Sequence, residues 1–215
     1  MIGPPIARIK DAVYFRFMNF IYSLQPPESL TTEQAKRICD IRLEYIDGLV
    51  NYQLNSTVVD SITACVAAKH STSTPLMKAL DFGCGDGLSS RMLLNRIPNL
   101  DLVDVDISEK AIARCQEQNM KAKLIVAGKP LPFKSAAFDL IFAVFVMHFN
   151  IDLKMLGELR RILRPSGLFV FNVYQKDTDG LIAQLEEVGF FTIELWERLS
   201  SIGNNHAVIS CRSTK

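Results

Sequence analysis

The chain has 215 residues and a mass of 24.1 kDa, with 24 Lys+Arg against 23 Asp+Glu and a formal net charge of +1. That length is one domain, or one domain with an appendage, and can bury roughly 70% of its unfolded surface. The 48% hydrophobic and 22% charged composition excludes wholesale disorder, and the near-zero charge argues against a generic nucleic-acid or anionic-membrane binder.

The first element expected is a helix over Ile6 to Leu24, ended by Gln25-Pro26-Pro27, because proline disfavours helix in the residue before it. Its aromatic run of Tyr14, Phe15, Phe17, Phe20 and Tyr22 reads as helix core or as a substrate lid. Thr31 and Gln34 form a capping-box pair that opens a second helix, on which Ile38, Ile41, Tyr45 and Leu49 make one stripe. A third helix is predicted from Asn55 to Lys69. Residues 1–74 therefore read as an N-terminal helical cap or lid without strands, and the polar stretch His70 to Pro75 separates it from residues 75–215.

Beyond Pro75 the texture changes. Met77 to Phe82, Leu100 to Val105, Lys123 to Val126, Phe138 to Val144 and Leu168 to Val173 are short apolar runs of the buried-strand kind. Leu88 to Arg96, Glu109 to Gln118 and Leu153 to Leu163 read as helices between them, so the pattern predicts a parallel sheet covered on both faces. Thr192 to Arg198 and His206 to Arg212 are two further strands, separated by a turn-rich segment and expected to pair antiparallel at one edge.

The sharpest local feature is Leu80-Asp81-Phe82-Gly83-Cys84-Gly85-Asp86-Gly87, at the end of a strand and directly before a helix. Glycines there permit positive φ and close approach of a ligand to the backbone. At the end of the next strand, 23 residues beyond Gly83, stands Asp106, placed to accept both hydroxyls of a ribose. A dinucleotide loop would carry its third glycine at position 88, which is Leu88. Asp81 suits a cationic amine better than a pyrophosphate, so the charges predict a nucleoside bearing an ammonium group and no phosphates.

These residues resemble the class I S-adenosylmethionine-dependent methyltransferases, a small-molecule family of the type 11/25 kind. Leu80 to Gly87 is similar to the family's glycine loop and Val103 to Ser108 to its acidic turn. Leu131-Pro132-Phe133 with Phe138 to Ile141, Glu158 to Gly167, and Gly189-Phe190 follow in the family's order. The resemblance covers about Lys78 to Arg212 and implies a Rossmann-like, doubly wound α/β sheet of seven strands with the last antiparallel. It implies S-adenosyl-L-methionine as cofactor, with Asp81, Gly83, Cys84, Gly85 and Gly87 at the methionyl end, Asp106 on the ribose and Ile107 against adenine. Ala127 stands where the family often has an acidic residue for the adenine amine. The backbone around Ala127 and Gly128 would then hold the base, or affinity would be lower. Ala143 lies where the fourth strand ends and an acceptor pocket begins.

His148 follows that strand end. It reads as a general base for a phenol or hydroxyl, with an unperturbed pKa near 6.5, or as a packing or capping residue. Tyr14, Tyr45 and Tyr52 are further candidates for lining the pocket. Cys84 is a poor candidate nucleophile, and His206 reads as structural. A catechol-type metal site would want a carboxylate where Ala143 stands, so a metal-independent enzyme is expected. The expectation is methyl transfer to a small-molecule acceptor, with a cyclase, an isomerase or a noncatalytic cofactor-binding partner protein as alternatives. A homodimer through the N-terminal helices is a further possibility.

The cysteines, Cys39, Cys65, Cys84, Cys115 and Cys211, are odd in number and widely spaced, which fits neither a disulfide framework nor a zinc site. The longest uncharged apolar run, Leu140 to Met147, has eight residues, where a bilayer needs ~20. With no secretory signal read at its N-terminus, the chain is expected to be soluble and cytoplasmic.

Overall fold

Pro5–Ile9 (β1), Ala12–Phe17 (β2) and Phe20–Ser23 (β3) form a three-stranded antiparallel meander. The helix expected over Ile6 to Leu24 is therefore corrected to strands. The reason lies in the side chains: Ile, Val, Tyr and Phe dominate the segment, and such residues favour an extended, pleated surface. The register pairs Ile9 with Ala12 and Phe17 with Phe20, leaving two residues between each pair of strand ends, the length of a tight hairpin. The aromatic helix that suggested a homodimer is thus absent, and the side chains of Phe15, Phe17, Phe20 and Tyr22 lie outside the described residues. This computed structural model describes residues 5–9, 12–17, 20–23, 25–45, 52–69, 76–174, 178–202 and 206–213.

The next helix, Thr32–Tyr45 (α1), opens with the predicted capping box. The Thr31 N–H donates to Gln34 Oε1 at 2.8 Å, and the Gln34 N–H donates to Thr31 Oγ1 at 3.3 Å. Tyr14, fully buried, donates its hydroxyl to the Gln34 carbonyl at 3.1 Å and so ties the meander to α1. Tyr52–Lys69 (α2) packs Val58, Ile62 and Cys65 against Ala79, Leu140, Phe142 and Val170, in the same core as the sheet.

The remaining strands are Met77–Phe82 (β4), Leu100–Asp106 (β5), Ala122–Leu124 (β6), Phe138–Ala143 (β7), Leu163–Tyr174 (β8), Phe190–Arg198 (β9) and His206–Ser213 (β10). They form one seven-stranded sheet in the order β6-β5-β4-β7-β8-β10-β9. The pairs from β6 through β8 are parallel, and β10 runs antiparallel to both neighbours, as the resemblance implied. Helices Leu88–Arg96 (α3), Glu109–Glu117 (α4) and Leu153–Ile162 (α5) follow the predicted spans. A fourth crossover helix, Thr178–Glu187 (α6), was not expected; its buried face is only Leu181 and Leu185.

Because β5 and β7 flank β4 on opposite sides, the winding reverses at β4. A crevice opens at the carboxyl ends of these strands, the usual ligand position in such sheets. None of the helices among the described residues is long and apolar enough to cross a membrane.

The bond from Tyr14 to Gln34 is a buried polar link between the meander and α1. Tyr14→Phe is expected to lower stability by about 1 kcal/mol, measured by urea unfolding, with the secondary-structure content unchanged.

Candidate functional site

β4 delivers the chain into the glycine loop at Phe82. Gly83, Gly85 and Gly87 have φ of 79°, 56° and 75°, a region costly for residues bearing a Cβ. At Gly83 a Cβ would also clash with Val146 Cγ2. The Gly83 and Cys84 N–H groups donate to the Val105 carbonyl at 2.8 and 3.0 Å, fastening the loop to β5. Asp106 completes the attachment: Oδ2 accepts from the Gly85 N–H and Oδ1 from the Ser108 N–H, both at 2.9 Å. Burial pushes the Asp106 acid up, opposed by these N–H groups and by the charge of Arg42.

Above the loop lies a cavity of about 800 Å³. Its lining brings together Gly83, Cys84, Gly85, Asp106, Ile107, Ala127, Gly128 and His148 from the sequence-derived candidates. α1 roofs it with Lys36, Cys39 and Arg42, and Tyr174 and His206 join His148 on the wall. Asp81, Gly87, Ala143 and Tyr14 do not line it, and the side chains of Tyr45 and Tyr52 lie outside the described residues. Sequence reasoning missed Arg42 and Tyr174 and read His206 as structural.

The far wall is aromatic. His148 is buried, with its ring 4.2 Å from Phe149 and 4.4 Å from Tyr174, and Tyr174 stacks on His206 at 5.0 Å. Burial lowers the His206 pKa, so that imidazole is neutral near pH 7, and burial raises the Tyr174 phenol. Phe145, two residues beyond β7, adopts φ 57° while its N–H donates to Asn172 Oδ1 at 2.7 Å. That is strained backbone held by a side chain from the neighbouring strand.

Asp81 stands behind the loop, fully buried, and takes part in an unusual cluster. Ser90 Oγ bonds Asp81 Oδ2 at 2.7 Å and also Asp104 Oδ1. A hydroxyl donates one hydrogen, so the second bond must be donated by a protonated carboxyl. The two carboxyls therefore share a proton. Burial raises both acids, that of Asp104 to about 6, with Asp104 adding to the rise at Asp81. Asp81 Oδ1 is buried with no hydrogen-bond partner among the described residues, an open acceptor. Cys84 Sγ lies 3.9 Å from Cys115 Sγ, and this contact and burial push the Cys84 thiol up, which removes it as a nucleophile.

Residues 80–171 match the methyltransferase domain family. A malonyl-[acyl-carrier protein] O-methyltransferase of Legionella pneumophila is 32% identical over 106 residues, covering 47% of this chain and 37% of that protein. The human mitochondrial arginine-hydroxylase NDUFAF5 is 32% identical over 102 residues, covering 46% of this chain and 29% of that protein. The chain thus spans well under two thirds of these curated relatives. In fold it is similar to the CurJ carbon methyltransferase, with a TM-score of 0.63 and 15% identity over 86% of this chain and 59% of that one. Over residues 80–171 the family match identifies a methyltransferase domain, and the strand order and glycine loop agree with the S-adenosylmethionine-dependent class. The matched segment runs from within β4 to within β8, and S-adenosylmethionine is the cofactor of the class. The glycine cradle and the Asp106 carboxylate, which line the cavity, fit such a cationic nucleoside.

The carboxyl pair makes stability depend on pH with a definite sign. Asp104 holds its proton more tightly folded than unfolded, so its stabilising contribution is complete below about pH 4 and is lost as pH rises through about 6. Asp104→Asn lacks this loss. In thermal melts the variant should gain on the wild type between pH 4 and 7, and a constant difference would contradict the shared proton.

Proposed function

We propose that the protein transfers a methyl group from S-adenosylmethionine to a small, partly apolar acceptor held in this cavity. What supports the reading most directly is Asp106, a buried carboxylate facing the cavity with both oxygens fixed by backbone N–H groups of the glycine loop and its own turn. When bound, the cofactor supplies a methyl group already activated on a sulfonium, which leaves the protein to align the acceptor, exclude water and take up any proton.

Each Asp106 oxygen retains acceptor capacity for a ribose hydroxyl, and Ile107 offers an apolar face to adenine. The open backbone of Ala127 and Gly128 is left to hold the edge of the base. Asp81 does not line the cavity, so its role toward an ammonium group is through the field beneath the loop. On the opposite wall His148, held between Phe149 and Tyr174, takes the proton of an acidic acceptor. The enclosing roof and aromatic wall favour an acceptor that is flat or partly apolar over a polymer.

Isothermal titration should show binding of S-adenosylmethionine and S-adenosylhomocysteine, weakened tenfold or more by Asp106→Ala. Absence of binding to the wild type would remove the proposal. Transfer is distinguished from cyclisation, isomerisation or hydroxylation by stoichiometric S-adenosylhomocysteine and a product heavier by one methylene. His148→Ala should slow turnover by about 10²-fold or more and abolish the acid limb of its pH profile, with cofactor affinity unchanged. A profile identical to that of the wild type would rule out His148 as the base.

A further inference from the structure

The roof of the cavity carries a cation, Arg42, whose buried Nε finds no hydrogen-bond partner among the described residues. Thr32, Ala35, Cys39 and Arg42 step at three and four residues along α1, and all line the cavity. Two neighbouring polar groups need no ligand. Lys36 is paired with Glu109 of α4. The Cys39 thiol is pushed up to about 12 by burial and is therefore neutral. Arg42 differs: its Nε is buried and has no hydrogen-bond partner among the described residues. Its Nη2 stands 3.0 Å from the point where a Cβ on Gly85 would lie, so the guanidinium reaches over the glycine loop.

A guanidinium keeps its charge at any ordinary pH, and a buried donor without an acceptor costs free energy that a fold does not usually leave standing. The planar fork matches a carboxylate through two parallel bonds. The nearby carboxylate of Asp106 feels the charge of Arg42, but no hydrogen bond joins it to the Arg42 Nε. A ligand anion placed over the middle of the glycine loop would give this guanidinium the acceptor that the described residues do not supply.

We propose that Arg42 binds the carboxylate at the amino-acid end of the cofactor, which makes α1 part of the cofactor site as well as its roof. This inference rests on the methyl-transfer reading above, in which that end of the ligand lies against the loop. It gives Gly85 a second requirement besides its positive φ, because a side chain there would push the guanidinium away.

The test compares S-adenosylhomocysteine with 5′-methylthioadenosine, which keeps the nucleoside and lacks the amino-acid end. Isothermal titration of each into the wild type, Arg42→Ala and Arg42→Lys separates the two ends of the ligand. Arg42→Ala should weaken S-adenosylhomocysteine about ten- to a hundredfold and leave 5′-methylthioadenosine within twofold, and Arg42→Lys should restore part of the loss. Equal weakening of both ligands would mean a structural role and overturn the inference. So would affinity for both unchanged in both variants, the result expected if Arg42 reads a carboxylate on the acceptor instead. Failure of the wild type to bind either nucleoside would overturn the methyl-transfer reading, and the inference with it. Should Arg42→Ala fail to fold, as its melting curve would show, Arg42→Lys alone decides by the same selective loss.

Discussion

The site depends on the pair of hydrogen bonds at Asp106. Three residues of positive φ in five make the glycine loop conformationally expensive, and an unanchored loop of that kind would collapse onto the sheet. Val105 fixes its base by accepting from Gly83 and Cys84, and Asp106 fixes its middle by accepting from Gly85. The other oxygen accepts from Ser108, the residue whose hydroxyl caps α4 by accepting from the Ala111 N–H at 3.1 Å. One carboxylate therefore sets the loop, the turn after β5 and the start of α4 in a common frame. Bonds to a charged acceptor contribute about 1.5–3 kcal/mol each, enough to offset much of the cost of burying the charge.

The sheet places that carboxylate without help from the ligand. β4 and β5 are parallel and in register, so Asp81 lies beside Asp104, and Asp106 follows at the carboxyl end. Alternation along β5 sends Asp104 and Asp106 to the same face. This explains why the two buried carboxyls and Ser90 sit directly beneath the loop. The protonated pair lowers the negative charge below the loop, which limits repulsion against Asp106 while leaving Asp81 Oδ1 as an open acceptor.

Much of this was legible in the sequence because parallel strands covered on both faces appear as continuous apolar runs. β4, β7 and α3 fall within a residue of their predicted bounds. The loop and Asp106 were legible because their chemistry is local: glycines at fixed spacing and an acid at a strand end. The meander was not, because Ile6 to Leu24 has apolar residues at both periods, and the proline pair that ends it terminates a strand region as readily as a helix. Arg42, Tyr174 and His206 were hidden for another reason. Tyr174 closes β8 and His206 opens β10, and the two meet only because the antiparallel register pairs them across the sheet. Arg42 reaches Gly85 across 43 residues of chain. No periodicity within one segment carries such contacts.

Floor and roof are built to different strengths, and this bears on how a ligand enters. α2 shares the large core under the sheet, but α1 and the meander meet in a small cluster of Tyr14, Leu30 and Ile41. What else holds α1 to α4 is mainly polar. Lys36 pairs with Glu109 and Lys110 with Glu44, both with exposed members, and such pairs add little because water screens them. Ser108 donates to Asp40 at 2.5 Å and Arg114 to the Leu43 carbonyl at 2.8 Å. A layer with little buried apolar contact separates at lower cost than the sheet does. The floor fixes Asp106 and the glycine loop through the large core, whereas the α1 layer is held over them chiefly by polar contacts. A ligand that bridges floor and roof, touching Asp106 below and Arg42 above, would add contacts across the polar seam between the two layers.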